Sequence, residues 1–248
     1  MKEKLVSIIM PAFNSGKTIK ESINSVLIQT YSNFELLIID DDSTDNTVSV
    51  VNEFTDSRII LLSNCNSKGA AGARKTGIDH SSGKYIAFLD SDDMWPAQKL
   101  MLHVSYIESN NVSFTYSDYY SFVHAPSSPT KFHTVADKIS YKDLLKSCQI
   151  GCLTVLIDKK KFRDLEYDNL PKEDYAYWLK LLKQCEFGFK VPGSYAYYRL
   201  QKKSLSSNKF KEIKKQWYII RYVEKNSLIK SIYNISTYII YGLKKHLL

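Results

Sequence analysis

The chain is short of cysteine: four among 248 residues, at 65, 148, 152 and 185, with no C-x-x-C pair. That spacing argues against a structural zinc site and offers no disulfide framework. Long apolar runs are missing too. The longest uncharged stretch toward the C-terminus, residues 231–243, carries Ser, Asn and Thr and falls short of the about 20 apolar residues that span a bilayer. The run at residues 5–10 is likewise too short for a signal peptide and reads as a first strand, so a reducing, cytoplasmic setting is expected. There are no internal repeats and no low-complexity linker, which at this length predicts one large domain with an appendage. Acid is scarce in one region only. Residues 199–248 hold 12 Lys or Arg against Glu212 and Glu224, a net +10, while the remaining 22 basic and 24 acidic residues net −2. Such a basic block points to an anionic partner. No recognised nucleic-acid motif accompanies it, so the expectation is no nucleic acid and an anionic membrane surface.

What is present is acid at strand ends. Residues 85–89 form a short apolar run, as a buried strand does, and Asp90, Asp92 and Asp93 follow at once. Like charges so placed fit either a solvated turn or a hard divalent cation, Mn²⁺ or Mg²⁺, which takes oxygen ligands and shares them with phosphates. A second run, 34–39, ends in Asp40, Asp41 and Asp42. Two such ends favour the ligand-site reading, because open α/β sheets bind ligands beyond the carboxyl ends of their strands.

Strand patterns at 5–10, 34–39, 58–62 and 85–89 alternate with helical ones. Ile19, Ile23, Val26 and Leu27 share a helical face; Ser43 or Thr44 caps a helix reaching about Phe54, with Asp45 in its first turn; residues 69–80 read as a third helix. This alternation predicts βαβ units and a mostly parallel sheet flanked by helices. Further on, residues 103–108 read as helix, 112–116 as strand, 125–130 as a loop and 174–184 as a helix with Trp178, Leu181, Leu182 and Cys185 on one face. A basic helical tail follows from about residue 208.

The stretch Asn14-Ser-Gly-Lys-Thr18 imitates the end of a phosphate-binding P-loop. The glycine required five positions before Gly16 is Pro11, which lacks an N–H and locks φ, so that reading fails. Six ordered segments instead carry a resemblance over residues 4–205: 6–14 (VSIIMPAFN), 39–45 (IDDDSTD), 72–77 (GARKTG), 88–93 (FLDSDD), 173–178 (EDYAYW) and Tyr198-Arg199. The chain resembles the inverting family 2 glycosyltransferases of the GT-A fold.

The resemblance implies a Rossmann-like α/β domain over 1–207, with a nucleotide-binding half at 1–100 and an acceptor-side half at 101–207, and a basic amphipathic tail at 208–248. It implies that Pro11, Ala12 and Phe13 line the base pocket of a nucleotide sugar, a UDP-sugar by expectation, with Phe13 against the uracil face and Asp41 accepting the uracil N3–H. Phe13 as a core residue at a strand end is the alternative. Asp42 stands where glycine is common, which marks a position of positive φ. Arg74 would reach the donor diphosphate or a strand-end aspartate. Asp90 and Asp92 would serve the ribose and the metal, with Asp92 and Asp93 nearest the ion. Asp174, with Glu173 second in line, would be the base that deprotonates the acceptor hydroxyl; a plain helix cap is the alternative. Arg199, or Lys202 and Lys203 after Gln201, would neutralise the diphosphate where relatives carry histidine. Residues 151–157 would wall the acceptor side.

With a membrane-bound tail, the expected acceptor is a lipid-linked glycan of a bacterial surface polysaccharide or lipopolysaccharide, reached from the inner face of the cell membrane. Two other classes suit the same features: a nucleotidyltransferase, which has no use for Asp174, and a non-catalytic membrane adaptor.

Overall fold

The computed structural model describes residues 3–200 and 209–247. Strands β1 (Val6–Ala12), β2 (Phe34–Asp40), β3 (Ile59–Ser63) and β4 (Tyr85–Phe88) fall on the four apolar runs read from the sequence. They alternate with α1 (Ile19–Leu27), α2 (Thr47–Val51) and α3 (Ala70–His80). β1 pairs in parallel with both β2 and β4, and β2 with β3. The second half adds α4 (Lys99–Asn110), β5 (Phe114–Phe122), β6 (Pro129–His133), β7 (Lys138–Ile139), α5 (Tyr141–Lys146), β8 (Leu156–Asp158), α6 (Glu173–Leu182) and β9 (Gly188–Arg199).

The sheet order is β3-β2-β1-β4-β8-β5-β9-β7, with β6 on β5. β8 runs antiparallel to both β4 and β5, which leaves β5 parallel to β4, and β9 is parallel to β5. Six strands therefore share one direction, and their carboxyl ends share one edge. β6, β7 and β8 are the reversed minority. Side-chain alternation along β1 divides the core. Ile9 joins the cluster of Phe88, Phe114 and Trp178 on one face, while Val6, Ile8 and Met10 pack with Ile23, Leu36 and Trp95 on the other. α3 lies close on the first face: a Cβ at Gly77 would stand 2.5 Å from Ile9 Cγ2.

Several elements differ from the sequence reading. The helix expected from residue 43 or 44 forms only at Thr47–Val51, because Asp45 is committed elsewhere. Its carboxylate accepts the Thr47 N–H at 2.9 Å and the Gly16 N–H at 3.0 Å, tying two loops together. The region expected as an uninterrupted loop at 125–130 turns early into β6. Residues 151–157 form one helical turn, Cys152–Thr154, and the start of the reversed β8.

The tail comprises α7 (Lys209–Tyr218), a π-helical turn at Ile219–Val223 and α8 (Leu228–Leu247). Ile219 and Ile220 are fully buried in the same cluster as Trp178. Lys172, at the N-terminus of α6, donates to Gln216 Oε1 at 2.7 Å and to the Tyr238 hydroxyl at 3.2 Å. Among the described residues, no helix is long and apolar enough to cross a membrane.

Candidate active site

A cleft of about 450 Å³ opens beyond the carboxyl edge of the sheet, with Phe13, Ser15, Lys17, Ser91, Asp92 and Arg199 in its wall. β1 ends at its rim. Phe13 is 51% exposed, which removes the core-residue alternative and leaves an open aromatic face, with Lys68 Nζ 5.9 Å from the ring centre. Pro11 is half-buried, and the Ala12 side chain turns into the core, so Ala12 offers the cleft no methyl group. Its carbonyl accepts the Asp41 N–H at 2.9 Å.

Asp41 is buried and held by two donors, Asn64 Nδ2 at 2.6 Å and the Gly69 N–H at 2.7 Å. Asp42 sits at φ +60°, the left-handed backbone that its glycine-like position implies. Asn14 closes the loop by accepting the Thr44 N–H at 2.8 Å through Oδ1. A bond of 2.7 Å joins the hydroxyls of Ser15 and Ser91 across the cleft.

The acidic centre lies alongside, organised by Arg74. Its side chain is buried and donates to Asp90 Oδ1 at 2.7 Å and to Glu173 Oε1 at 3.0 Å. One guanidinium on α3 thereby joins the end of β4 to the start of α6, a fork that lysine could not supply. Burial works against its charge, yet Asp90 and its other acidic neighbours hold the guanidinium well above its ordinary pKa. Of the two partners open to Arg74 in the sequence reading, it takes the aspartate, and Glu173 in addition.

Asp93, expected beside Asp92 near the metal, is the buried member of the acidic cluster. It is 1% exposed, Oδ1 accepts the Arg199 N–H at 2.8 Å, and Oδ2 is buried with no hydrogen-bond partner among the described residues. Burial, with the charges of Asp90 and Asp92, pushes its carboxyl well above the usual range. It packs beneath the cleft and pins β9. Arg199 lines the cleft while its Nε donates to the Asp92 carbonyl at 2.8 Å, and its guanidinium lies 4.6 Å over the Phe122 ring and pairs with Glu21.

Asp174 is the second residue of α6, half-buried. The N-cap is Lys172 at φ +54°, which sets aside the plain-cap alternative. Burial and then the charge of Glu173 raise the Asp174 carboxyl, and Arg74 opposes them. Among the described residues Glu173 is tied into an ion pair and Asp174 is not. Tyr198 binds the picture together: burial lifts its hydroxyl to about 12, and the charges of Asp93, Asp92, Asp90 and Asp174 all act on it. Residues some 80 positions apart are thus electrostatic neighbours. Gln201, Lys202 and Lys203 lie outside the described residues.

Sequence reading missed Lys17, noticed only as part of the failed P-loop, and the Asn64–Asp41 clamp. It also missed Tyr167 and Cys152 around Arg74. Lys17 had a usable signal, a cation just after the first strand; the others become neighbours only through folding.

The geometry has counterparts among known proteins. A model of the family described as Glycosyl transferase family 2 matches residues 7–155. A UDP-Glc:alpha-D-GlcNAc-diphosphoundecaprenol beta-1,3-glucosyltransferase of Escherichia coli is 48% identical, over 99% of this chain and 96% of its own. Two solved structures share the architecture at low identity. Staphylococcus aureus TarS in complex with UDP-GlcNAc gives a TM-score of 0.68 at 20% identity, over 89% of this chain and 67% of that one. A Pyrobaculum calidifontis mannosyltransferase with GDP-Man and Mn²⁺ gives 0.67 at 17%, over 90% and 64%.

Proposed function

The chain belongs to glycosyl transferase family 2 and is a glycosyltransferase of GT-A architecture, and on that footing we propose the specific reaction. It moves a hexose, glucose by similarity to the E. coli relative, from a UDP-sugar to a hydroxyl of a lipid-linked, diphosphate-bearing glycan, with inversion, in bacterial surface-polysaccharide synthesis. The single observation that carries this reading is the Arg74 bridge from Asp90 to Glu173. It supports the reading because it joins the strand end where a donor's leaving group would lie to the helix start that carries Asp174. The nucleotidyltransferase and adaptor classes have no use for that juxtaposition.

On this reading the Phe13 face stacks on the base and Asp41 accepts the uracil N3–H. Arg199 and Lys17, in the cleft wall, stand against the diphosphate. Asp174 accepts the proton of the acceptor hydroxyl as its oxygen attacks the anomeric carbon from the side opposite the diphosphate, which yields inversion. Arg74 keeps Glu173 occupied, so the base role falls to Asp174.

A hard divalent ion, Mn²⁺ or Mg²⁺, fits the donor set, which is all oxygen. Among the described residues no three acidic, His or Cys side chains gather to hold an ion by themselves. The ion would therefore rest on Asp92, with Asp90 behind it, and on the donor phosphates, the usual sharing for such ions. When bound, it offsets the charge that develops on the departing diphosphate.

The tail, residues 208–248, would hold the protein peripherally on the anionic inner face of the cell membrane. Because Ile219 and Ile220 belong to the core, the test of this part uses Lys225→Ser with Lys230→Ser rather than truncation. Co-sedimentation with anionic vesicles should fall, and unchanged sedimentation would remove the membrane element. The reaction is tested with a panel of nucleotide sugars, Mn²⁺ and a GlcNAc-diphosphate lipid, followed by UDP release and linkage analysis. A β-linked glucosyl product is expected. Absence of transfer from every UDP-sugar, or a product that keeps the donor's anomeric configuration, overturns the proposal.

A further inference from the structure

Helix α8 reverses the polarity of an ordinary surface helix. Ser231 and Asn234 are buried against the body, while Ile229, Ile232, Tyr233, Ile239 and Ile240 face outward, Ile229 at 82% exposure. Their spacing places them in one stripe along the helix, a contiguous exposed apolar surface of the kind that marks a contact site. Beside the C-terminal half of that stripe a second cleft, about 300 Å³, opens between α5 and α8. Lys138, Asp143, Lys146, Ser147, Gln149 and Tyr241 are in its wall.

The wall carries two lysines against one acid, and the acid is already engaged. Asp143 accepts the Ser140 N–H at 3.1 Å and the Ser140 hydroxyl at 2.6 Å as part of the α5 capping box. Lys138 Nζ lies 4.7 Å from the Phe187 ring centre, and Lys146 ends α5. Helix α8 also connects the site to the start of α6. Tyr238, one turn before Tyr241, takes the Lys172 ammonium, two residues from Asp174. From the other side, Ser147 leads within five residues to Cys152, whose thiol feels the charges of Asp90 and Asp174.

We propose that cleft and stripe together form a subsite for a polyprenyl-type diphosphate, the anchor of the acceptor sugar; this rests on the lipid-linked acceptor proposed above. Two ammonium groups suit a diphosphate, Gln149 Nε2 being engaged with the Ser147 hydroxyl beside them, and the outward stripe suits the first apolar units of the chain behind it. A second copy of the protein suits this face poorly. The stripe lies in the basic tail, and an isologous contact would set like charges against each other.

The test is calorimetry on the full chain with Mn²⁺ in excess and UDP saturating, so that the donor cleft is filled. Farnesyl diphosphate should bind saturably and more tightly than inorganic pyrophosphate. Lys138→Ser with Lys146→Ser should weaken farnesyl diphosphate about tenfold, the loss expected for one charge-assisted hydrogen bond. Ile232→Ser with Ile240→Ser should weaken it while leaving pyrophosphate as before. Retained UDP affinity reports an intact fold; should the serine pair lose it, Lys138→Arg with Lys146→Arg must preserve farnesyl diphosphate binding. No saturable farnesyl diphosphate binding, or equal affinity in the lysine variant, overturns the subsite. Because binding is read without turnover, the subsite stands or falls separately from the transfer reaction.

Discussion

Replacing Arg74 with Met tests the joint on which the site depends. The side chain is 5% exposed, but its partners Asp90 and Glu173 are 35% and 29% exposed. Removing one partner of a fully buried pair costs about 3–5 kcal/mol. Here each stranded carboxylate recovers some hydration, and Met fills much of the vacated stem, so about 2–3 kcal/mol is expected. Urea unfolding should show it as a lower midpoint at unchanged slope. The pH profile should move as well. Arg74 holds the Asp174 carboxyl down against burial and Glu173, so without it the Asp174 pKa rises and the ionised base persists only to a higher pH. The acidic limb of kcat/KM should therefore shift upward in pH. A stability loss below about 1 kcal/mol, the value of a surface pair, together with an unmoved limb, would refute the argument that Arg74 couples the two acidic segments.

Asp174→Asn should retain UDP binding and lose about 10²–10⁴ in turnover, the usual contribution of a general base; near-normal turnover would return the role to Glu173. Phe13→Ala should weaken UDP about tenfold by titration calorimetry, as loss of an aromatic stacking face implies, and an unchanged affinity would place the base elsewhere. Asp92→Ala should weaken both Mn²⁺ and UDP, and an effect on neither would detach the ion from this residue. Lys99 is fully buried, donates to the Thr154 carbonyl at 3.1 Å, and burial lowers its pKa to about 7. An unfolded lysine titrates near 10.4, so between these values the unfolded chain binds the extra proton and stability rises with pH. From pH 7 to pH 9 the wild type should gain about 2 kcal/mol relative to Lys99→Met; parallel stability profiles for the two proteins would contradict this.

The first four strands could be read from the chain because each is a short apolar run cut off by turn or acidic residues, and nothing else of that length is compatible with a buried helix and its caps. Asp42 could be read only through the resemblance: glycine is common at its place, which implies positive φ, and the aspartate adopts it. Asp45 could not. Its place near a helix start could be read, but its bond to Gly16 depends on a loop 29 residues away. The reversed β8 was equally hidden, since three residues carry no directional signal and their pairing is set by the neighbours β4 and β5.

The strand-end aspartates, an aromatic just after β1 and the Glu173-Asp174 pair were determined by the sequence itself, whereas the exposure of that aromatic was not. They are local patterns, and local patterns follow from the periodicity and termination of single elements. Tertiary structure decided what each of those acids touches. Arg74 reaches 16 residues forward to Asp90 and 99 to Glu173, and that contact takes up Glu173. Burial sets Asp93 against the Arg199 backbone, and packing of Ser231 and Asn234 leaves the apolar side of α8 facing outward. Each of these depends on a long-range contact that stabilises the fold only after the intervening chain has closed, which is why spacing along the sequence cannot express it.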